Sequence, residues 1–157
     1  MIRPPGNAVE GAARADDTPP MKTAAEFDRQ RYLNLVTFRM NGREVATPIW
    51  FAAAGGHLWV FTNGNSGKVK RLRRSSRARI APCDARGATR GPWLDVRATL
   101  VTDPDAIALA RAALRAKYGW PVRMLDLMSR LTGRVHQRAW IAIYDESRTG
   151  RRPWPSL

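Results

Sequence analysis

The residues with the clearest chemical potential lie in one stretch, Thr62-Asn63-Gly64-Asn65-Ser66-Gly67-Lys68-Val69-Lys70-Arg71-Leu72-Arg73-Arg74. An apolar, strand-like run ends at Thr62. A turn rich in Gly, Asn and Ser follows, and then a short basic helix. Glycines in a turn free backbone N–H groups to face an anion, and the start of a helix adds partial positive charge there. Lys68 and Arg71 stand one helical turn apart and add full charges. This is the chemistry of a phosphate seat, and it points to a phosphorylated cofactor. The competing reading is a basic helix face turned to water. A nucleotide-hydrolysing P-loop is excluded, because that motif needs Gly, four residues, then Gly-Lys-Ser/Thr. Here Thr62 stands where the first Gly belongs, and Val69 follows Lys68.

The elements that must hold this stretch are read from periodicity. A short helical turn is expected from Phe27 to Gln30. Tyr32 to Arg39 reads as a strand, Asn41-Gly42 as a hairpin turn, and Val45 to Phe51 as the returning strand. Gly55-Gly56 marks a second tight turn before a third strand, His57 to Thr62, with Leu58, Val60 and Thr62 on one face and Trp59 and Phe61 on the other. These three strands read as an antiparallel meander. Pro48 cannot donate to a ladder, which predicts a bulge or an open side at that point, with an ordinary edge strand as the competing reading. Arg79 to Asp84 and Trp93 to Val101 are the fourth and fifth strands. Asp103-Pro104 opens a helix carrying Ile107, Ala110, Leu114 and Tyr118, and Gly119 ends it. Pro121 to Leu131 reads as a second amphipathic helix and Arg138 to Tyr144 as the last strand. The expected architecture is mainly β (α+β): a six-stranded antiparallel β-barrel with helices packed at its side.

Composition narrows the class. A chain of 157 residues, 44% of them hydrophobic, suits one domain with a real core. Residues 1–25 read as a disordered tail, 26–146 as the folded domain, and 147–157 as a basic tail. No apolar run is long enough to span a bilayer, and the N-terminus has no signal-like apolar segment. The single cysteine, Cys83, allows no internal disulfide. A cytoplasmic protein without a membrane partner is expected from these features. The net charge of +14 favours polyanionic partners: nucleic acid, anionic lipid, or a small molecule bearing several phosphates or carboxylates.

The order of segments resembles a known family. Tyr32-Leu33-Asn34-Leu35-Val36-Thr37-Phe38, Asn41-Gly42-Arg43 and Val45-Ala46-Thr47-Pro48-Ile49-Trp50-Phe51 resemble the pyridoxamine 5′-phosphate oxidase-like split β-barrel proteins, whose barrel is of the FMN-binding type. So do Leu58-Trp59-Val60-Phe61-Thr62, Ser66-Gly67-Lys68-Val69-Lys70-Arg71-Leu72, Ala78-Arg79-Ile80-Ala81-Pro82-Cys83-Asp84 and Arg90-Gly91-Pro92-Trp93. Together they look like the actinobacterial branch that uses the deazaflavin coenzyme F420. The resemblance covers roughly residues 26–145. It implies a homodimer with cofactor in a groove between subunits. It implies that Thr47, Pro48, Ile49 and Trp50 border the ring system and that Phe61 and Thr62 lie along the linker. Ser66, Gly67, Lys68 and Arg71 would hold the phosphate, with Ala81, Pro82 and Cys83 on a neighbouring strand as weaker members. Coenzyme F420 carries a phosphodiester and a tail of glutamates, whereas FMN ends in one phosphate. Arg71, Arg73, Arg74, Arg77 and Arg79 could attract such a tail, which tilts the reading toward the deazaflavin.

The expected reaction is hydride transfer between the deazaflavin and an organic substrate, with chemistry supplied by the cofactor and orientation by the protein. No catalytic acid or base is identifiable. His57 and His136 read as surface or packing histidines, Cys83 as an inert buried thiol, and Tyr118 and Trp120 as core residues before they are lining of a substrate opening. These few histidines and the cysteine make no metal set, and Asp95 and Asp126 no trusted carboxylate pair. Two rivals remain. One is an FMN-, deazaflavin- or haem-binding protein without turnover, or an FMN-dependent oxidoreductase. The remoter one is a nucleic-acid-binding barrel using exposed Trp50, Trp59 and Trp93, although nucleic acid is not the expected partner.

Overall fold

A glycine pair sets the turn between the third and fourth strands. Gly55 and Gly56 have φ of 58° and 79°, the paired positive values that let two residues reverse a strand without splaying it. A computed structural model describes residues 27–119 and 138–145. The two predicted tails, the predicted helix at Pro121–Leu131, and Trp120, Asp126 and His136 lie outside the described residues. The strands are β1 (Tyr32–Phe38), β2 (Glu44–Ile49), β3 (Ala52–Ala54), β4 (His57–Asn63), β5 (Arg77–Cys83), β6 (Leu94–Val101) and β7 (Arg138–Tyr144). Helix α1 (Gly67–Leu72) follows β4, and α2 (Pro104–Tyr118) follows β6. The predicted caps hold: Asp103 accepts from the Ala106 amide at 2.8 Å, Pro104 opens α2, and Gly119 closes it.

The seven strands among the described residues form one antiparallel sheet in the order β2-β1-β5-β6-β7-β4-β3. Its two edges, β2 and β3, are joined by Trp50 and Phe51 alone. A flat sheet of this size would separate its edges by roughly 29 Å. The link from Ile49 to Ala52 reaches at most about 11 Å. The sheet must therefore curl until its edges meet, which makes a barrel split along β2 and β3. Two sequence expectations are corrected here. The run Val45–Phe51 is not one strand: it breaks after Ile49 to cross the split, and Ala52–Ala54 becomes an additional strand paired with β4. The expected three-strand meander fails for the same reason, since β4 pairs with β3 and β7 rather than β2.

Alternation sorts side chains into two cores. Leu33, Leu35, Ile49, Leu58, Val60, Ile80, Val96, Ile141 and Ile143 fill the barrel, with Leu72 of α1 closing one end. Trp59, Trp140, Ala142 and Val101 face outward beneath Ala106, Ala110 and Leu114 of α2. Pro48 keeps unbroken register, opposite Asn34, on an edge strand. Its missing N–H costs the ladder nothing there, so the edge-strand reading holds and the bulge does not.

Candidate functional site

The β4–α1 turn is shaped by Asn63. Its side-chain oxygen accepts from the Asn65 amide at 2.9 Å, and its carbonyl from the Ser66 amide at 3.0 Å. Ser66 occupies the cap position with extended dihedrals, yet its side chain makes no capping bond. Its Oγ is buried and has no hydrogen-bond partner. Val69 and Leu72 bury one side of α1. On the other side, Arg71 turns toward β1, where its Nε donates to Thr37 Oγ1 at 2.7 Å. A Cβ on Gly67 would stand 2.7 Å from Arg71 Nη1, closer than real contacts allow. Glycine at 67 thus lets the guanidinium from the last turn of α1 lie back against its first.

Charge in this turn is one-sided. Burial, and then the neighbouring Arg71, push the Lys68 ammonium below its ordinary pKa. Arg71 is itself lowered, first by burial and then by Arg39 and Arg74. No acidic residue sits in the first turn of α1. Arg39, Lys68, Lys70, Arg73 and Arg74 form no ion pair among the described residues. A bound anion would relieve the repulsion and give the orphaned Ser66 hydroxyl an acceptor. The residues present fit a phosphate.

Ser66, Gly67, Lys68 and Arg71 are thus brought together, and Thr37 and Arg39 join them. Thr47 follows Val45, the register partner of Thr37, on the inward row of β2. That puts it about 7 Å along the edge strand from the anchor of Arg71. Ile49 continues the row but is only 7% exposed, inside the barrel core. Trp50 stacks on Tyr118 at 5.2 Å and 14°. Pro48 lies on the outer face with Asn34 and Ala81, one residue per strand. Ala81 and Cys83 are buried. Burial, reinforced by Asp84, pushes the Cys83 thiol up, which disfavours the reactive thiolate. Pro82 is half-buried opposite Leu33. Phe61 packs on Trp140 at 5.9 Å with the Arg138 guanidinium over its ring at 5.4 Å. Thr62 is half-buried beside Ala139 of β7. Of the five arginines read as attracting an acidic tail, Arg79 is already committed: it pairs with Glu44 at 2.8 Å and Asp95 at 3.4 Å. Arg77 lies 4.1 Å over the Phe38 ring.

With this geometry in view, similarity to known proteins becomes informative. Residues 20–144 match the family model described as pyridoxamine 5′-phosphate oxidase. The chain belongs to that family. No curated protein matches it significantly. Among solved structures, the heme storage protein HutZ from Vibrio cholerae superposes with a TM-score of 0.61 at 15% identity, covering 78% of this chain and 87% of that one. A conserved hypothetical protein from Mycobacterium tuberculosis gives 0.58 at 21% identity, covering 85% and 88%. An F420 reductase gives 0.53 at 21% identity, covering 80% and 94%. These likenesses establish a shared barrel.

In this pyridoxamine 5′-phosphate oxidase-type barrel, a second charged cluster escaped sequence reading. It pins the link between the barrel's edges. The Tyr118 hydroxyl accepts from the Phe51 amide at 3.1 Å and shares its proton between the Phe51 and Arg31 carbonyls, both at 2.8 Å. Burial, above all, pushes its pKa up to about 12, so it stays a neutral donor. Lys117 Nζ sits 3.3 Å from Asp28 Oδ1 and 3.6 Å above the Phe51 ring. Core packing, the expected role of Tyr118, is what it has. His57 also packs, bonded to the Gly55 carbonyl at 2.9 Å and flanked by Trp59 and Tyr144. Among the described residues no group of His, Cys, Asp and Glu could hold a metal. Trp59 is 1% exposed and Trp50 and Trp93 are half-buried, which corrects the expectation of exposed tryptophans for stacking bases.

Proposed function

We propose that this protein is an F420-dependent oxidoreductase acting on an organic substrate, with a homodimer forming the cofactor groove. The observation that carries the proposal is the uncompensated seat at Ser66, Gly67, Lys68 and Arg71. Lys68 and Arg71 would hold the phosphodiester, with Ser66 Oγ donating to it. Arg73 and Arg74, exposed at the end of α1, would meet the acidic tail, which FMN lacks. When bound, the deazaflavin supplies hydride transfer. The chain supplies charge neutralisation, and the edge of β2 at Thr47 and Pro48 supplies the wall beside the ring. Likeness to an F420 reductase supports this reading, and likeness to HutZ is the reason to include haem in its test.

The test is a titration of purified protein with coenzyme F420, FMN and haemin separately, followed by fluorescence or absorbance at moderate salt. Saturation by the deazaflavin near one per subunit is expected. Saturation by FMN or haemin alone keeps the fold and changes the cofactor. Binding of none removes the phosphate seat. A mass in solution corresponding to a single chain removes the dimer groove.

A further inference from the structure

The end of the barrel that carries α1 also presents an apolar point within a basic surface. The β1–β2 hairpin turns at Arg39-Met40-Asn41-Gly42-Arg43, and Met40 is 85% exposed. The next most exposed large hydrophobic side chain among the described residues is Leu109, at 44%. Arg39 and Arg43 flank Met40, and both are exposed. Lys70, Arg73 and Arg74 are exposed on the adjoining end of α1. Arg71 joins hairpin to helix: it donates to Thr37, two residues before Arg39, and feels the charges of Arg39 and Arg74 together. None of these five exposed cations is ion-paired among the described residues.

We propose that this end of the barrel docks on anionic lipid surfaces. Met40 enters the boundary between headgroups and acyl chains, and Arg39, Arg43, Lys70, Arg73 and Arg74 lie among acidic headgroups. One exposed apolar side chain is ordinary by itself. At the tip of a hairpin ringed by unpaired cations it has the form of a peripheral membrane contact. No described helix is long and apolar enough to cross a bilayer, and the proposed contact needs none. The expectation of no membrane partner rests on the missing span and does not bear on such docking. Single-stranded nucleic acid fits this end less well, since it is held by stacking on open aromatic rings. The ring nearest the hairpin, Phe38, is covered by Arg77, and Trp93 lies under Arg79. The inference goes beyond the cofactor reading; the two share Arg39, Arg73 and Arg74, so the test variants are placed at Met40 and Arg43, outside the seat.

The test is co-sedimentation of the full chain with phosphatidylcholine vesicles, with and without phosphatidylserine, at low and moderate salt. Binding that requires phosphatidylserine and weakens with salt is expected. Arg43→Glu should lower the partition coefficient at least about tenfold. Met40→Ser should lower it several-fold with the salt dependence retained. Both positions are exposed on a turn, and unfolding curves superposable on wild type confirm that each variant is folded. Absence of binding overturns the proposal, as does equal binding to neutral vesicles or wild-type binding by both variants. Full displacement from vesicles by a charge-matched duplex oligonucleotide overturns it in favour of nucleic acid. Retained cofactor binding alongside lost vesicle binding, or the reverse, separates this inference from the oxidoreductase reading.

Discussion

Lys68 and Lys117 are the same residue under the same penalty, and the fold treats them in opposite ways. Burial is the largest cause lowering the pKa of each. At Lys117 the next influence is Asp28, which raises it again across 3.3 Å, while the Phe51 ring accepts the ammonium from below. At Lys68 the next influence is Arg71, which lowers it further. The first lysine belongs to the seam where the chain crosses from one barrel edge to the other, and its charge is paired with Asp28 and the Phe51 ring, although its buried ammonium makes no hydrogen bond. The second sits in a turn with several cations and no carboxylate. A buried charge without a partner costs stability. Under the proposed function, the cofactor's phosphate would meet the half-buried Lys68 ammonium and the unbonded Ser66 hydroxyl together.

The largest effect expected from this contrast is at Arg71. Arg71→Ala removes a guanidinium able to make charge-assisted bonds, worth about 1.5–3 kcal/mol, so affinity for a phosphate-bearing cofactor should fall roughly ten- to a hundredfold. The fold should lose only the bond to Thr37, about 1 kcal/mol. Tyr118→Phe should do the reverse. Losing the hydroxyl frees Phe51 N–H and two carbonyls at the seam, which should cost about 1–3 kcal/mol and lower the denaturant midpoint at constant slope. Cofactor affinity should not change. If Tyr118→Phe weakens binding as much as Arg71→Ala does, seam and seat are one structure and the contrast collapses.

How much of this was legible depended on sequence separation. The hairpins, the Asp103-Pro104 start of α2 and the two faces of β4 are local, and each could be read from neighbouring residues. The strand tally already read as a barrel, and the family likeness specified its split type. The break after Ile49 was not legible, because it is imposed by closure of the whole sheet rather than by any signal near Trp50. The seat was half legible. Ser66 to Arg71 are contiguous, but Thr37 and Arg39 arrive from β1, and only a lone hydroxyl in the otherwise apolar row Leu33, Leu35, Thr37 hinted at the first. Lys117–Asp28 and Tyr118–Phe51 join positions remote in sequence, and no periodicity reports such pairs. Arg79 shows the opposite limit: it reads as one of a basic run, yet pairing with Glu44 and Asp95 withdraws it.

A smaller effect should come from Gly67→Ala. The added Cβ would meet the end of the Arg71 side chain, which can swing aside, so the fold should be nearly unaffected. Swinging aside moves the guanidinium off the first turn of α1, and affinity should fall about three- to tenfold. Unchanged affinity would mean that Arg71 serves the seat equally well from another rotamer.

The finest test uses pH. In the free protein Lys68 titrates below its ordinary value of 10.5, and an anion at the seat favours the charged amine. Above the lowered pKa, binding must therefore take up a proton. Affinity for inorganic phosphate, measured by calorimetry, should be level from the point where the phosphate is fully dianionic up to that pKa. It should then fall by up to about tenfold per pH unit as pH rises toward 10.5. Stability of the unliganded protein should move the other way. The unfolded chain holds more protons across this window, so stability contributed by Lys68 rises with pH up to 10.5. Lys117 is lowered as well and adds a slope of the same sign. Lys68→Met separates them: it should flatten the phosphate profile and leave the Lys117 share of the stability profile in place. A phosphate profile that still falls in Lys68→Met assigns the proton to a different group and takes Lys68 out of the seat.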